Sequence, residues 1–143
     1  MILYTQKNKM HKGLLKLGAI LGGLTVILGA FAAHTIKSRV APDVLTVFET
    51  GVRYQMYHVF AIFLTAIFYK EFPIKIMVWA GKLFVIGIII FSGSLYLLTY
   101  VKAIEANNFL WLGAVTPFGG VAFIAGWGLL FKSFLKKKNI YSK

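Results

Sequence analysis

The chain has 143 residues, 59% of them hydrophobic and only 14% charged, where an ordinary soluble domain has about 45–50% apolar and about 25% charged residues. So short a chain cannot hide that much apolar side chain from water in one core, which excludes disorder, a fibrous repeat and an ordinary soluble enzyme and makes lipid the expected solvent. With no cysteine there are no disulfides, thiolate metal sites or cysteine nucleophiles, and the net charge of +12 has to be placed along the chain before it is read, because membrane proteins carry Lys and Arg for topology.

Four apolar stretches follow in chain order, at about 13–33, 52–69, 77–100 and 109–131. Each approaches the ~17–25 residues a helix needs to cross hydrocarbon. Helices are expected because lipid cannot satisfy open backbone polar groups. The reading is an all-α integral membrane four-helix bundle, a single domain over residues 1–143. Lysines ahead of the first stretch, with Ala30-Phe31-Ala32 at its end, resemble a secretory signal, but its length and its glycines suit a packed crossing. Gly18, Gly22 and Gly29 allow close backbone approach, either within the bundle or between copies in a homo-oligomer.

The link at 35–51 is the longest. Ala41-Pro42-Asp43 reads as a helix start, with proline at the first helical position and an acid at the positive dipole end. Val44, Leu45, Val47 and Phe48 give it an apolar side. A short interfacial helix is therefore expected between the first two crossings, bending or running on into the second near Gly51. Glu49 and Arg53, four residues apart, are expected to pair on it. The third stretch carries only Lys82, near one end. In the fourth, Thr116-Pro117-Phe118-Gly119-Gly120 predicts a proline kink flanked by packing glycines.

Four crossings put both termini and the link at 70–76 on one side. Lys7, Lys9, Lys12, Lys16, Lys70, Lys75, Lys82, Lys132, Lys136, Lys137, Lys138 and Lys143 lie there, against Lys37, Arg39, Arg53 and Lys102 opposite. That asymmetry places both termini in the cytoplasm. The lysine run at 136–138 reads as attraction to anionic lipid rather than to nucleic acid. The lipid bilayer is thus the expected partner. Tyr69, Trp79 and Trp127 fall near the expected cytoplasmic interface, and Tyr54, Tyr100 and Trp111 near the outer one, where amphipathic rings prefer to sit.

The polar residues inside the apolar stretches carry the functional question. His58, Ser94 and Thr116 each lie about six or seven residues inside the expected outer ends, roughly 10 Å deep at the helical rise. His34 and Gln55 are shallower. Gln55 and His58 share a face with Tyr54, and Ser92 accompanies Ser94. With Glu49 at the rim, these residues predict a polar cluster inside the bundle, opening outward. It reads as interhelical hydrogen bonding, as a ligand or proton site on His58, Gln55 and Glu49, or as haem ligation by His34 and His58. No other cofactor is expected, and no metal-ligand spacing repeats. His11 reads as inert, in a solvated lysine-rich tail. No enzyme motif or catalytic residue is found; Asp43, Glu49, Glu71 and Glu105, the four acids, all lie at or outside the membrane boundaries. Four helices also offer little room for two rocking transporter repeats.

Four motifs then occur in order: Gly29-Ala-Phe-Ala-Ala-His34, Phe48-Glu-Thr-Gly-Val-Arg-Tyr-Gln-Met-Tyr-His58, Phe91-Ser-Gly-Ser-Leu-Tyr96 and Gly113-Ala-Val-Thr-Pro-Phe-Gly-Gly120. Together they resemble the domain of unknown function 423 family, also called YgdD-like small membrane proteins. The resemblance covers about 13–131 and departs at Ala32, where the family's usual residue is glycine. It implies a multi-spanning protein of the bacterial inner membrane, with relatives in mitochondria, and no established reaction. The expected function is that of a small non-enzymatic inner-membrane protein, either a membrane-integrity factor or an accessory subunit of a membrane complex. The competing readings are a small-molecule, lipid or ion binding or transport protein with an outward-facing polar site, and a haem-binding redox subunit.

Overall fold

A computed structural model describes residues 9–135; Lys7, Lys136, Lys137, Lys138 and Lys143, counted above for topology, lie outside them. The described residues are all-helical, with no strand. Helix α1 (Lys12–Phe31) continues through a π-helical turn, Ala32–Ile36, and α2 spans Pro42–Phe68. Then come α3 (Lys75–Gly87), a second π turn at Ile88–Ser92, α4 (Gly93–Ala103), a 3-10 segment at Asn107–Ala114, and α5 (Thr116–Leu135). The π turns do not interrupt their rods. Lys12–Ile36, Lys75–Ala103 and Asn108–Leu135 are each long and apolar enough to cross a membrane.

Local chemistry explains the helix ends. His11 is not an idle tail residue. Its Nδ1 accepts the Leu14 N–H at 3.1 Å, capping α1, and its own backbone N–H donates to the Ala66 carbonyl at 3.0 Å. That backbone bond fastens the start of α1 to the end of α2. Pro42 begins α2 as expected, with Asp43 in the first turn. The short helix expected before Gly51 forms the first turns of this continuous α2, without a break. Gly51 serves another purpose, since a Cβ there would lie 2.7 Å from Cε1 of Tyr96. The glycine admits the tyrosine ring instead of bending the backbone. Pro117 likewise kinks nothing: it is the second residue of α5, where a missing N–H breaks no intrahelical bond. The segment expected as the start of the fourth crossing is therefore 3-10 helix up to Ala114.

Small residues set the packing. Gly18, Gly22 and Gly29 of α1 face Phe63, Val59 and Val52 of α2 respectively, a descending series that makes the two helices antiparallel. Gly126 faces Phe84, Gly87 faces Phe123 and Gly119 faces Phe91, so α5 runs antiparallel to the α3–α4 rod. Gly120 only grazes Phe91, at 4.0 Å from the position of a Cβ. The larger core gathers Val59, Ile62, Met77, Phe84 and Phe123; a smaller one joins Ala32, Ile36 and Phe48. Helix α2 buries ten residues, Gln55 and His58 among them, whereas α1 buries only Leu14, Gly18 and Thr25. The helix carrying the polar groups is the enclosed one. Outward faces are apolar instead, with Ile20 67% and Ile124 73% exposed, an arrangement suited to hydrocarbon rather than water.

Candidate functional site

Gln55 joins three helices. Its Oε1 accepts the Tyr96 hydroxyl of α4 at 3.0 Å, and its Nε2 donates to the Leu21 carbonyl of α1 at 3.2 Å. Thr25 Oγ1 donates to that same carbonyl at 2.7 Å. The residue is 2% exposed, so both ends of its amide are satisfied inside the protein, as a polar group in an apolar interior requires.

One turn further along α2, His58 Nδ1 meets the Tyr54 carbonyl at 2.8 Å and Nε2 meets Trp127 Nε1 of α5 at 3.3 Å. An indole N–H only donates and a carbonyl oxygen only accepts. Both contacts are therefore met by the neutral imidazole that carries its proton on Nδ1. Phe123 lies flat on the ring, with centroids 3.4 Å apart and planes 4° from parallel. Phe84 and the Tyr54 ring complete an aromatic surround.

Ser94 Oγ donates its one hydrogen to the Phe91 carbonyl at 2.8 Å and so accepts from the Thr116 hydroxyl, also at 2.8 Å. Ser92 Oγ is fully buried beside Tyr96, with no partner in good hydrogen-bond geometry among the described residues. His34 and Glu49 are exposed, and Tyr54 is partly so. Arg53 turns to Thr50 Oγ1 at 3.1 Å rather than to Glu49, so the expected i,i+4 ion pair does not form.

The single cluster expected from depth counting is thus three separate contacts. Trp127, the partner of His58, lies eleven residues beyond Thr116 on α5, about 16 Å along the axis. His58 does not share a level with Ser94 and Thr116. Trp127, 45% exposed, also directs its N–H to His58. Tyr96 and Trp127 were the missed partners. Tyr96 was signalled by its place four residues after Ser92, on the same helical face. Nothing local signalled the pairing of residues 58 and 127. Cavities of about 380 and 320 Å³ lie near the first turns of α2, and neither is lined by Gln55 or His58.

The family model described as "Protein of unknown function (DUF423)" matches residues 28–120. The chain belongs to this family. Within the family's matched span lie Gln55, Tyr96, Ser94 and Thr116, while Trp127 falls beyond it. The chain is similar to UPF0382 membrane protein YwdK of Bacillus subtilis, 40% identical over 121 residues that cover 84% of this chain and 94% of the relative. It is also similar to UPF0382 membrane protein SH2409 of Staphylococcus haemolyticus, 37% identical over 120 residues, 84% and 93% of the two chains. A third, UPF0382 membrane protein SAB0533 of Staphylococcus aureus, is 39% identical over 122 residues, 81% and 93%. No solved structure matches the chain. Like these relatives, this DUF423 member is a membrane protein, and the family's description names no activity.

Proposed function

We propose that the chain is a four-crossing protein of the bacterial inner membrane, with both termini cytoplasmic, whose role is structural rather than enzymatic: a membrane-integrity factor or an accessory subunit of a membrane complex. One observation carries the reading. Gln55 and His58, the buried amide and imidazole of α2, are committed to partners in the same chain. Such bonds hold helices in register, and helix α2, the least apolar of the long helices, becomes the fourth crossing because three others surround it. The first turns of α2 then lie at the outer interface. Haem held between His34 and His58 draws no support from this geometry, since both imidazole nitrogens of His58 already have partners.

Topology is testable with this cysteine-free chain. Lys37→Cys is expected to react with an impermeant maleimide in intact cells, and Lys70→Cys only after permeabilisation. The reverse pattern would overturn the orientation. The structural role is testable by dye permeability of a strain lacking the gene. His58→Gln, where it accumulates to the normal level, is expected to restore the barrier as the unaltered protein does. A stable His58→Gln protein that fails to restore it would assign chemistry to the imidazole.

A further inference from the structure

A groove of about 380 Å³ lies between the segment after α1 and the last turns of α4, a size within the ~300–1,000 Å³ of small-ligand sites. One wall is an axial stripe of α4: Tyr96, Thr99, Tyr100 and Ala103, the i, i+3, i+4, i+7 pattern of a single helix face. Phe31 and Ile36 stand opposite, the first just before and the second in the π turn that ends the α1 rod. From Tyr96 to Ala103 the stripe runs roughly 10 Å along the helix axis, most of the depth of one leaflet of a ~30 Å hydrocarbon core. Thr99 spends its hydroxyl on the Leu95 carbonyl at 3.0 Å, which leaves its methyl group for the groove. Among the described residues, Arg39 is the one charged residue of the lining. It is exposed, in the link between α1 and α2, where the four-crossing reading puts the headgroup layer.

We propose that this groove holds one phospholipid with an anionic headgroup from the surrounding bilayer. An acyl chain lies along the α4 stripe and the phosphate is met by the Arg39 guanidinium. Two features select that occupant. The groove is elongated and apolar along the direction in which acyl chains run, and its only charge is a planar cation that pairs with phosphate in bidentate fashion. A lipid seated there would cover the second core, where Ile36 and Phe48 meet. The proposal rests on the four-crossing reading, which the maleimide experiment tests separately.

Native mass spectrometry of the full, delipidated chain tests the proposal, with phosphatidylglycerol and phosphatidylcholine of identical acyl chains as the two probes. Arg39→Gln is expected to weaken phosphatidylglycerol retention by about tenfold, the scale of one charge-assisted contact, and to weaken phosphatidylcholine, whose phosphate charge is offset by its own choline, by clearly less. Arg53→Gln, outside the groove, is expected to change neither. Ala103→Trp, at the exposed last residue of α4, fills the groove without entering a core and is expected to weaken both lipids. Equal losses in Arg39→Gln and Arg53→Gln would reduce the effect to diffuse surface charge and overturn the site. Undiminished binding by Ala103→Trp would overturn the groove.

Discussion

Gly119→Ala is expected to destabilise the protein by about 3 kcal/mol or more, the upper end of overpacking penalties. A Cβ at this position would lie 2.7 Å from the Phe91 Cα and closer still to the Phe91 backbone nitrogen. Backbone cannot rotate aside as a side chain does, so α5 must separate from the π turn it packs on. Gly87→Ala is expected to cost less, because its added methyl meets a side chain, the Phe123 ring, rather than backbone; the stack on His58 limits how far that ring can give, which keeps the loss above that of an open position. Gly128→Ala is the control: nothing among the described residues lies within 4 Å of its Cβ position, and alanine is the better helix former. Thermal unfolding in detergent or nanodiscs, read by size-exclusion homogeneity, ranks the three. Equal midpoints for Gly119→Ala and Gly128→Ala would show that the helices do not approach as described.

The sequence made the helical class and its packing residues legible because both follow from residue type. Apolar length predicts helices in lipid, and Gly18 and Gly119 do sit where a large side chain or backbone closes on the helix, whereas Gly22 and Gly29 have room for a methyl group. Helix starts were legible where a specific cue existed, as at Ala41-Pro42-Asp43. Depth was not. Counting inward along each helix separately does not show which side chains meet across helices: His58 reaches Phe123 and Trp127, seven and eleven residues beyond Thr116 on α5.

Pairings between distant positions were illegible for a different reason. Residue type gives Trp127 only the general preference of indoles for interfaces, but an indole N–H inside a helix bundle also needs an acceptor, and His58 supplies one 69 positions away in sequence. His11 shows the same limit at short range. Its neighbours are lysines, which suggest a solvated tail, yet the uncapped N–H groups of α1 call for an acceptor, and its ring nitrogen provides it.

Gln55→Leu and Tyr96→Phe are expected to be strongly coupled. Each alone leaves the other residue's polar group buried without its partner, at about 1–3 kcal/mol. Gln55→Leu also removes the bond to the Leu21 carbonyl, which keeps Thr25 as a donor, so the α1 side loses less than the α4 side. In the double variant no orphaned amide faces an orphaned hydroxyl. Its loss should fall short of the sum of the single losses by about 0.6–2 kcal/mol, the range of interhelical hydrogen bonds in membranes. Denaturant-driven unfolding in mixed micelles measures the four members of the cycle. Gly51 makes the coupling depend on register: the Tyr96 ring reaches Gln55 by lying across the glycine, so a shift of α4 by one residue would lose the bond and collide with α2 together. Additive losses would mean that the two side chains act independently, and that apolar packing alone holds α4 in place on α2.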